Sequence, residues 1–234
     1  MRRTLALMLS LPLVLAAPAT AAPSDKAEEA AVGGSMRSLY LELIRQARTD
    51  GKARAALAYL DDFDRQHPDD REAQVLRVNC LLDLGQIAGA QQALARIPAS
   101  ERSGDAMAAR GHVLAAEERW GEAATAYAAA QAASPADSYI GNALGYAELR
   151  AGHTDAAIET LRRALDLAPD AAHGDAVVRN NLALALTTAG RTDEAAALLA
   201  RVRDTGERAR LRSQLALEAA RISSSKGGAV PNAQ

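Results

Sequence analysis

Aromatic side chains are scarce: one Phe, one Trp and five Tyr make up 3% of the 234 residues. Strands draw on aromatic and β-branched residues for their packed faces, whereas alanine, abundant throughout this chain, is the strongest helix former. The shortage speaks against a β-sheet architecture and for an all-α protein. Cysteine is nearly absent too. Cys80 stands alone, so no disulfide can form within the chain. Nor is there a surplus of basic charge. The 27 Lys and Arg side chains face 29 Asp and Glu, which leaves no excess to attract nucleic acid or an anionic membrane surface. Hydrophobic residues make up 49% of the chain and charged residues 24%, a balance too apolar for a disordered protein.

Catalytic patterns are missing as well. The sequence holds no HExxH, no phosphate-cradling glycine loop and no nucleophile elbow. The four histidines, His67, His112, His153 and His173, do not pair at metal-ligand spacing. Asp61-Asp62 and Glu117-Glu118 are adjacent pairs, and neighbours on a helix point in different directions, so they read as solvated faces rather than metal sites. Cys80, among Val78, Leu81 and Leu82, reads as a small buried side chain. Trp120 falls at a turn between helices and reads as packing. The expectation is a protein that is not an enzyme and carries no cofactor.

The first residues have a different character. Met1-Arg2-Arg3 is a short basic start, Leu5 to Ala17 is almost uninterruptedly apolar, and Ala19-Thr20-Ala21 supplies small-x-small. Residues 1–21 therefore read as a secretory signal peptide cleaved after Ala21. A cut after Ala22 would place Pro23 directly behind the scissile bond. The apolar run is too short to span a bilayer comfortably. Loss of Arg2 and Arg3 leaves 25 basic against 29 acidic side chains, a net charge of about −4. No cysteine follows the signal region, so the usual lipoprotein acylation site is missing. The mature protein is expected in the periplasm without an integral membrane anchor. Residues 22–36 and 223–234, small and polar with Gly-Gly pairs, are expected to be a flexible linker and a disordered tail.

Between these ends the sequence repeats itself. Pro135 and Pro169 lie 34 residues apart, each closing an alanine-rich amphipathic segment. Gly152 opens Gly-His-Thr-Asp-Ala-Ala and Gly190 opens Gly-Arg-Thr-Asp-Glu-Ala, one signal repeated 38 residues on. In 138–171, Tyr139 to Arg150 is a first helix and Gly152 permits the chain to reverse. Thr154 is placed to cap a second helix, and Asp155 favours its N-terminal dipole. Ala157, Ile158, Leu161, Ala164 and Leu165 then give that helix one continuous apolar face. A hairpin of this kind cannot bury its apolar face alone, so neighbours must stack.

At Leu144, Gly145, Ala157, Leu161, Ala164 and Pro169 the segment resembles the tetratricopeptide repeat, whose period is about 34 residues. The resemblance extends over five units, 37–70, 71–103, 104–137, 138–171 and 176–209, with an insertion at Ala172 to Asp175. Phe63 in the first unit and Arg77 in the second depart from the pattern, and Pro98 ends the second unit's second helix early. Residues 208–222 read as a capping helix, apolar at Leu211, Leu215, Ala219 and Ile222. The fold implied is an all-α, right-handed superhelical solenoid of helix–turn–helix repeats.

The same resemblance implies a groove lined by the first helices, at the second, fifth, sixth, ninth, twelfth and thirteenth positions of each unit. Asn79, His112, Tyr139, Asn142, Tyr146, Asn180 and Asn181 are candidate contacts to a protein or peptide segment at these positions. Asparagine can donate to and accept from an extended backbone, and tyrosine adds flat apolar area with a polar tip. The same asparagines could instead bridge neighbouring helices. The family's basic carboxylate clamp is not reproduced, because Leu41, Asp105 and Ala109 stand at its positions. Val178 to Leu186, followed by Gly190-Arg191 and Glu194-Ala195, further resembles the closing repeat of TadD-type proteins of tight-adherence (Flp) pilus assembly. That likeness implies an exported scaffold for a pilus or secretion system. The alternative is a general periplasmic adaptor or holdase for envelope proteins.

Overall fold

The computed structural model describes residues 25–168 and 173–227. Residues 1–21, with the expected signal peptide, lie outside them, as do Pro169, Ala172 and residues 228–234. The chain divides into two compact units, Met1–Tyr40 and Leu41–Gln234. Among the described residues there are eleven helices and no strand: α1 (Asp25–Thr49), α2 (Ala53–Asp64), α3 (Arg71–Asp83), α4 (Ile87–Ala95), α5 (Gly104–Ala116), α6 (Trp120–Ala133), α7 (Ser138–Ala151), α8 (Thr154–Leu167), α9 (His173–Thr188), α10 (Thr192–Leu199) and α11 (Thr205–Gly227). Residues 25–36, expected as linker, are helical in α1, and α11 runs past residue 222 to Gly227. Over residues 25–36 the alanines and glutamates favour helix enough to outweigh the two glycines and the serine.

Five turns of one design join the helices in pairs. In each, a residue with positive φ follows the first helix, and the next N–H reaches back five residues to a carbonyl. Lys52 bonds Ala47, Gln86 bonds Leu81, Arg119 bonds Leu114, His153 bonds Glu148 and Arg191 bonds Leu186, all at 2.8–2.9 Å. This Schellman closure satisfies carbonyls that the helix end would otherwise orphan. The second helices α2, α4, α6, α8 and α10 begin directly after these turns without a side-chain cap bond from their N-cap residues. α8 starts at Thr154 with His153 in the N-cap position and no side-chain cap bond from it, so Thr154 is the first residue of the helix and not the cap expected of it.

Four of the five turns place glycine at the left-handed position: Gly51, Gly85, Gly152 and Gly190. The third places Glu118 there, at φ 59° and exposed. A side chain in that region costs about 1 kcal/mol relative to glycine. Glu118→Gly is therefore expected to raise stability by about 0.5–1 kcal/mol, read as a higher midpoint in urea at unchanged slope.

The hairpins stack through small and aliphatic side chains. Val75, Val78, Ala90, Ala93, Ile97, Ala106, Ala109 and Val113 form one buried cluster across α3 to α5. A larger one runs from Leu149 through Leu161, Leu182, Leu186 and Leu199 to Leu215, Ala219 and Ile222 on α11. α11 thus covers the last hairpin with the apolar face expected of a cap. Cys80 is fully buried, and burial pushes its thiol up to about 11, which makes it inert. Arg77, the departure in the second unit, turns its guanidinium to Asp61 and Asp64 of α2 at 2.8 and 3.1 Å. The Asp61-Asp62 pair is therefore not merely solvated: Asp61 holds Arg77, and Asp62 pairs with Arg65. Trp120 opens α6 and packs edge-on to Tyr146 at 5.8 Å, with the Arg150 guanidinium 4.2 Å from its ring centre.

Candidate protein-binding groove

Residues spaced three and four apart share a helix face. Glu72, Val75, Leu76 and Asn79 make such a row on α3, and Asp105, Ala108 and His112 make one on α5. With Arg45, Arg48 and Thr49 of α1, and Asp137, Tyr139 and Ile140 at the start of α7, they line one cleft of about 450 Å³. Four successive first helices thus contribute to a single concavity. Its floor is apolar, from Val75, Leu76, Ala108 and Ile140, and its rim is charged. Asp137 fixes the α7 end by accepting from the N–H groups of Tyr139 and Ile140 at 2.8 and 3.1 Å. That cap presents Tyr139 to solvent, 64% exposed.

The cations at the rim are already held. Arg45 bonds Glu42 and Glu72, and Arg48 grips both carboxylate oxygens of Asp83 at 2.6 and 3.3 Å. His112 lines the same cleft. Burial first, and Arg48 second, push it down to about 4, so it is neutral at physiological pH. Its Nδ1 lies 3.1 Å from Asn79 Oδ1, which places the imidazole proton on Nδ1.

Of the seven candidates, Asn79, His112 and Tyr139 line this cleft, and Asn142, Tyr146, Asn180 and Asn181 do not. Asn181 Nδ2 donates to Asn142 Oδ1 at 2.9 Å, tying α9 to α7. The Asn79–His112 bond does the same for α3 and α5. Asn79, Asn142 and Asn181 therefore bridge neighbouring first helices, and alanine at these three positions would disturb the stack as well as any contact. Tyr146 accepts from Arg150 at 3.2 Å and meets Trp120 edge-on. Arg45, Arg48, Glu72, Val75, Leu76, Asp105 and Ala108 were not singled out as contacts, although all fall at the groove positions of their units. Among the described residues no group of three or more His, Cys, Asp or Glu could hold a metal ion. No helix there is long and apolar enough to cross a membrane.

This arrangement defines a class: a scaffold of stacked helical hairpins offering a lined groove. Models of the tetratricopeptide repeat match residues 47–110 and 149–217, and a second model of the same repeat matches 108–172. The chain belongs to the tetratricopeptide repeat family, a fold whose members are generally non-catalytic scaffolds for proteins or peptides. Solved structures agree on the fold. TTC0263, a thermophilic TPR protein of Thermus thermophilus, is 22% identical at TM-score 0.63 over 77% of this chain and 97% of its own. PilF of Pseudomonas aeruginosa is 19% identical at TM-score 0.62, over 83% and 90%. YrrB, described as a TPR protein with an unusual peptide-binding site, is 17% identical at TM-score 0.50, over 78% and 90%. No curated protein matches the chain.

Proposed function

We propose that this protein is an exported scaffold that assists assembly of a tight-adherence (Flp) type pilus or secretion system, holding a segment of a partner in its cleft. The carrying observation is the cleft itself: an apolar floor, a charged rim and an exposed tyrosine, supplied by the first helices of four consecutive hairpins. A peptide-binding site in YrrB, a protein of like fold, supports the same use. Export rests on the basic, apolar and small-x-small succession of residues 1–21, and the pilus role on the resemblance of residues 178–195 to TadD-type closing repeats.

The test is photocrosslinking in the native host, with a photoreactive phenylalanine analogue in place of Tyr139 and the adducts identified by mass spectrometry. Pilus or secretin components are expected, on protein whose N-terminus is Ala22. Adducts to many unrelated envelope proteins would replace the dedicated scaffold with a general adaptor. An intact N-terminus at Met1 would contradict export by a cleaved signal peptide.

A further inference from the structure

The charges around the cleft restrict what it can hold. Its two guanidiniums are consumed by Glu42, Glu72 and Asp83, and His112 is neutral, so no positive charge is left for an acidic partner. Negative charge remains. Asp137 is engaged with two backbone N–H groups, but Asp105, exposed in the first turn of α5, makes no ion pair among the described residues. Tyr139 shares the cleft with Asp105 and offers most of its ring to solvent. A carboxylate and an exposed aromatic ring lining one cleft both attract a cation, while Val75, Leu76 and Ile140 of the same cleft accept an aliphatic group.

Building on the groove reading above, we infer that the cleft selects an extended, cationic segment. A lysine or arginine of the partner sits between Asp105 and Tyr139, and a neighbouring aliphatic side chain rests on the apolar floor. A partner presenting a free carboxylate or an acidic run meets the uncompensated negative rim and is rejected. The preference weakens with added salt, because the rim is exposed to solvent.

The experiment uses the purified full chain and two fluorescent peptides, one of repeating Gly-Lys-Leu and one of repeating Gly-Glu-Leu, read by anisotropy. The lysine peptide is expected to bind about tenfold more tightly than the glutamate peptide, a ratio set by one rim pair plus one cation–π contact. Asp105→Asn should erase most of that ratio, Tyr139→Ala should weaken the lysine peptide about fivefold, and Asp105→Glu should retain it. Both positions are exposed, so helix content by circular dichroism should stay unchanged in each variant. Equal or tighter binding of the glutamate peptide would overturn the inference, as would a lysine preference that survives Asp105→Asn. Failure of both peptides would overturn it too. If adducts still form at position 139 in that case, the groove reading stands and only its charge preference is wrong.

Discussion

Gly145→Val is expected to cost about 2 kcal/mol and to melt the fourth hairpin first. A Cβ at Gly145 would stand 2.5 Å from Cγ of Leu161 and 2.9 Å from its Cδ2. Leu161 is fully buried at the centre of the cluster that joins α7, α8 and α9, so it has nowhere to retreat. Two effects oppose each other. Replacing a mid-helix glycine gains up to about 1 kcal/mol of helix propensity. Overpacking a close-packed core costs about 1–3 kcal/mol, and β-branching adds bulk where the first carbon already collides. The collision wins. The same approach recurs one unit earlier, where a Cβ at Gly111 would lie 2.6 Å from Cε1 of Tyr127. Urea unfolding of Gly145→Val checks the sign, and the double variant with Leu161→Ala should recover part of the loss. An unchanged midpoint would show that helices α7 and α8 are not held together at this crossing.

Acidification should destabilise the protein through His112. Its ordinary value near 6.5 falls to about 4 in the folded chain, mainly because burial disfavours the charged ring. The unfolded chain therefore binds a proton at a higher pH than the folded one. Stability from this group is complete above pH 6.5, declines as pH falls from 6.5 to about 4, and is constant below that. At about 1.4 kcal/mol per unit, and with the ring partly reached by solvent, the loss is on the order of 2 kcal/mol. Arg48 strengthens the effect and Asp83 opposes it. His112→Asn removes the titration while leaving a partner for Asn79. The wild-type minus variant difference in stability should shrink as pH drops through this window, and a difference independent of pH would contradict the burial of the ring.

Much of the architecture was legible because its punctuation is chemical. Glycine at the left-handed turn position announced the hairpins at Gly152 and Gly190. Proline announced the ends of second helices, as at Pro98, past which α4 does not run. The third turn was harder to read, because Glu118 occupies the glycine position and only the backbone reveals that the turn is the same. Arg77 looked out of place in the sequence. It is accommodated because Asp61 and Asp64 are one helix away, a pairing that depends on how α2 and α3 pack.

The groove was legible in register and less so in chemistry. The groove positions that hold Asn79, His112 and Tyr139 also hold Arg45, Glu72, Val75 and Asp105, which carry no hydrogen-bonding or aromatic signature of a peptide contact in the sequence. Asn142 and Asn181 spend that capacity on each other. Whether an asparagine faces a partner or a neighbouring helix is set by the distance between helices, which no single sequence position encodes. The neutral state of His112 was hidden for the same reason, since it arises from burial and from Arg48 on α1.

A protein partner held in the cleft formed by the first helices should be seen in crosslinking yields in the native host from two exposed positions. One is Tyr139, at the cleft rim; the other is Leu167, at the end of the second helix α8 and 46% exposed. A partner adduct that forms from position 139 and not from 167 is the result expected. Equal yields, or an adduct from 167 alone, would contradict the groove as the binding face.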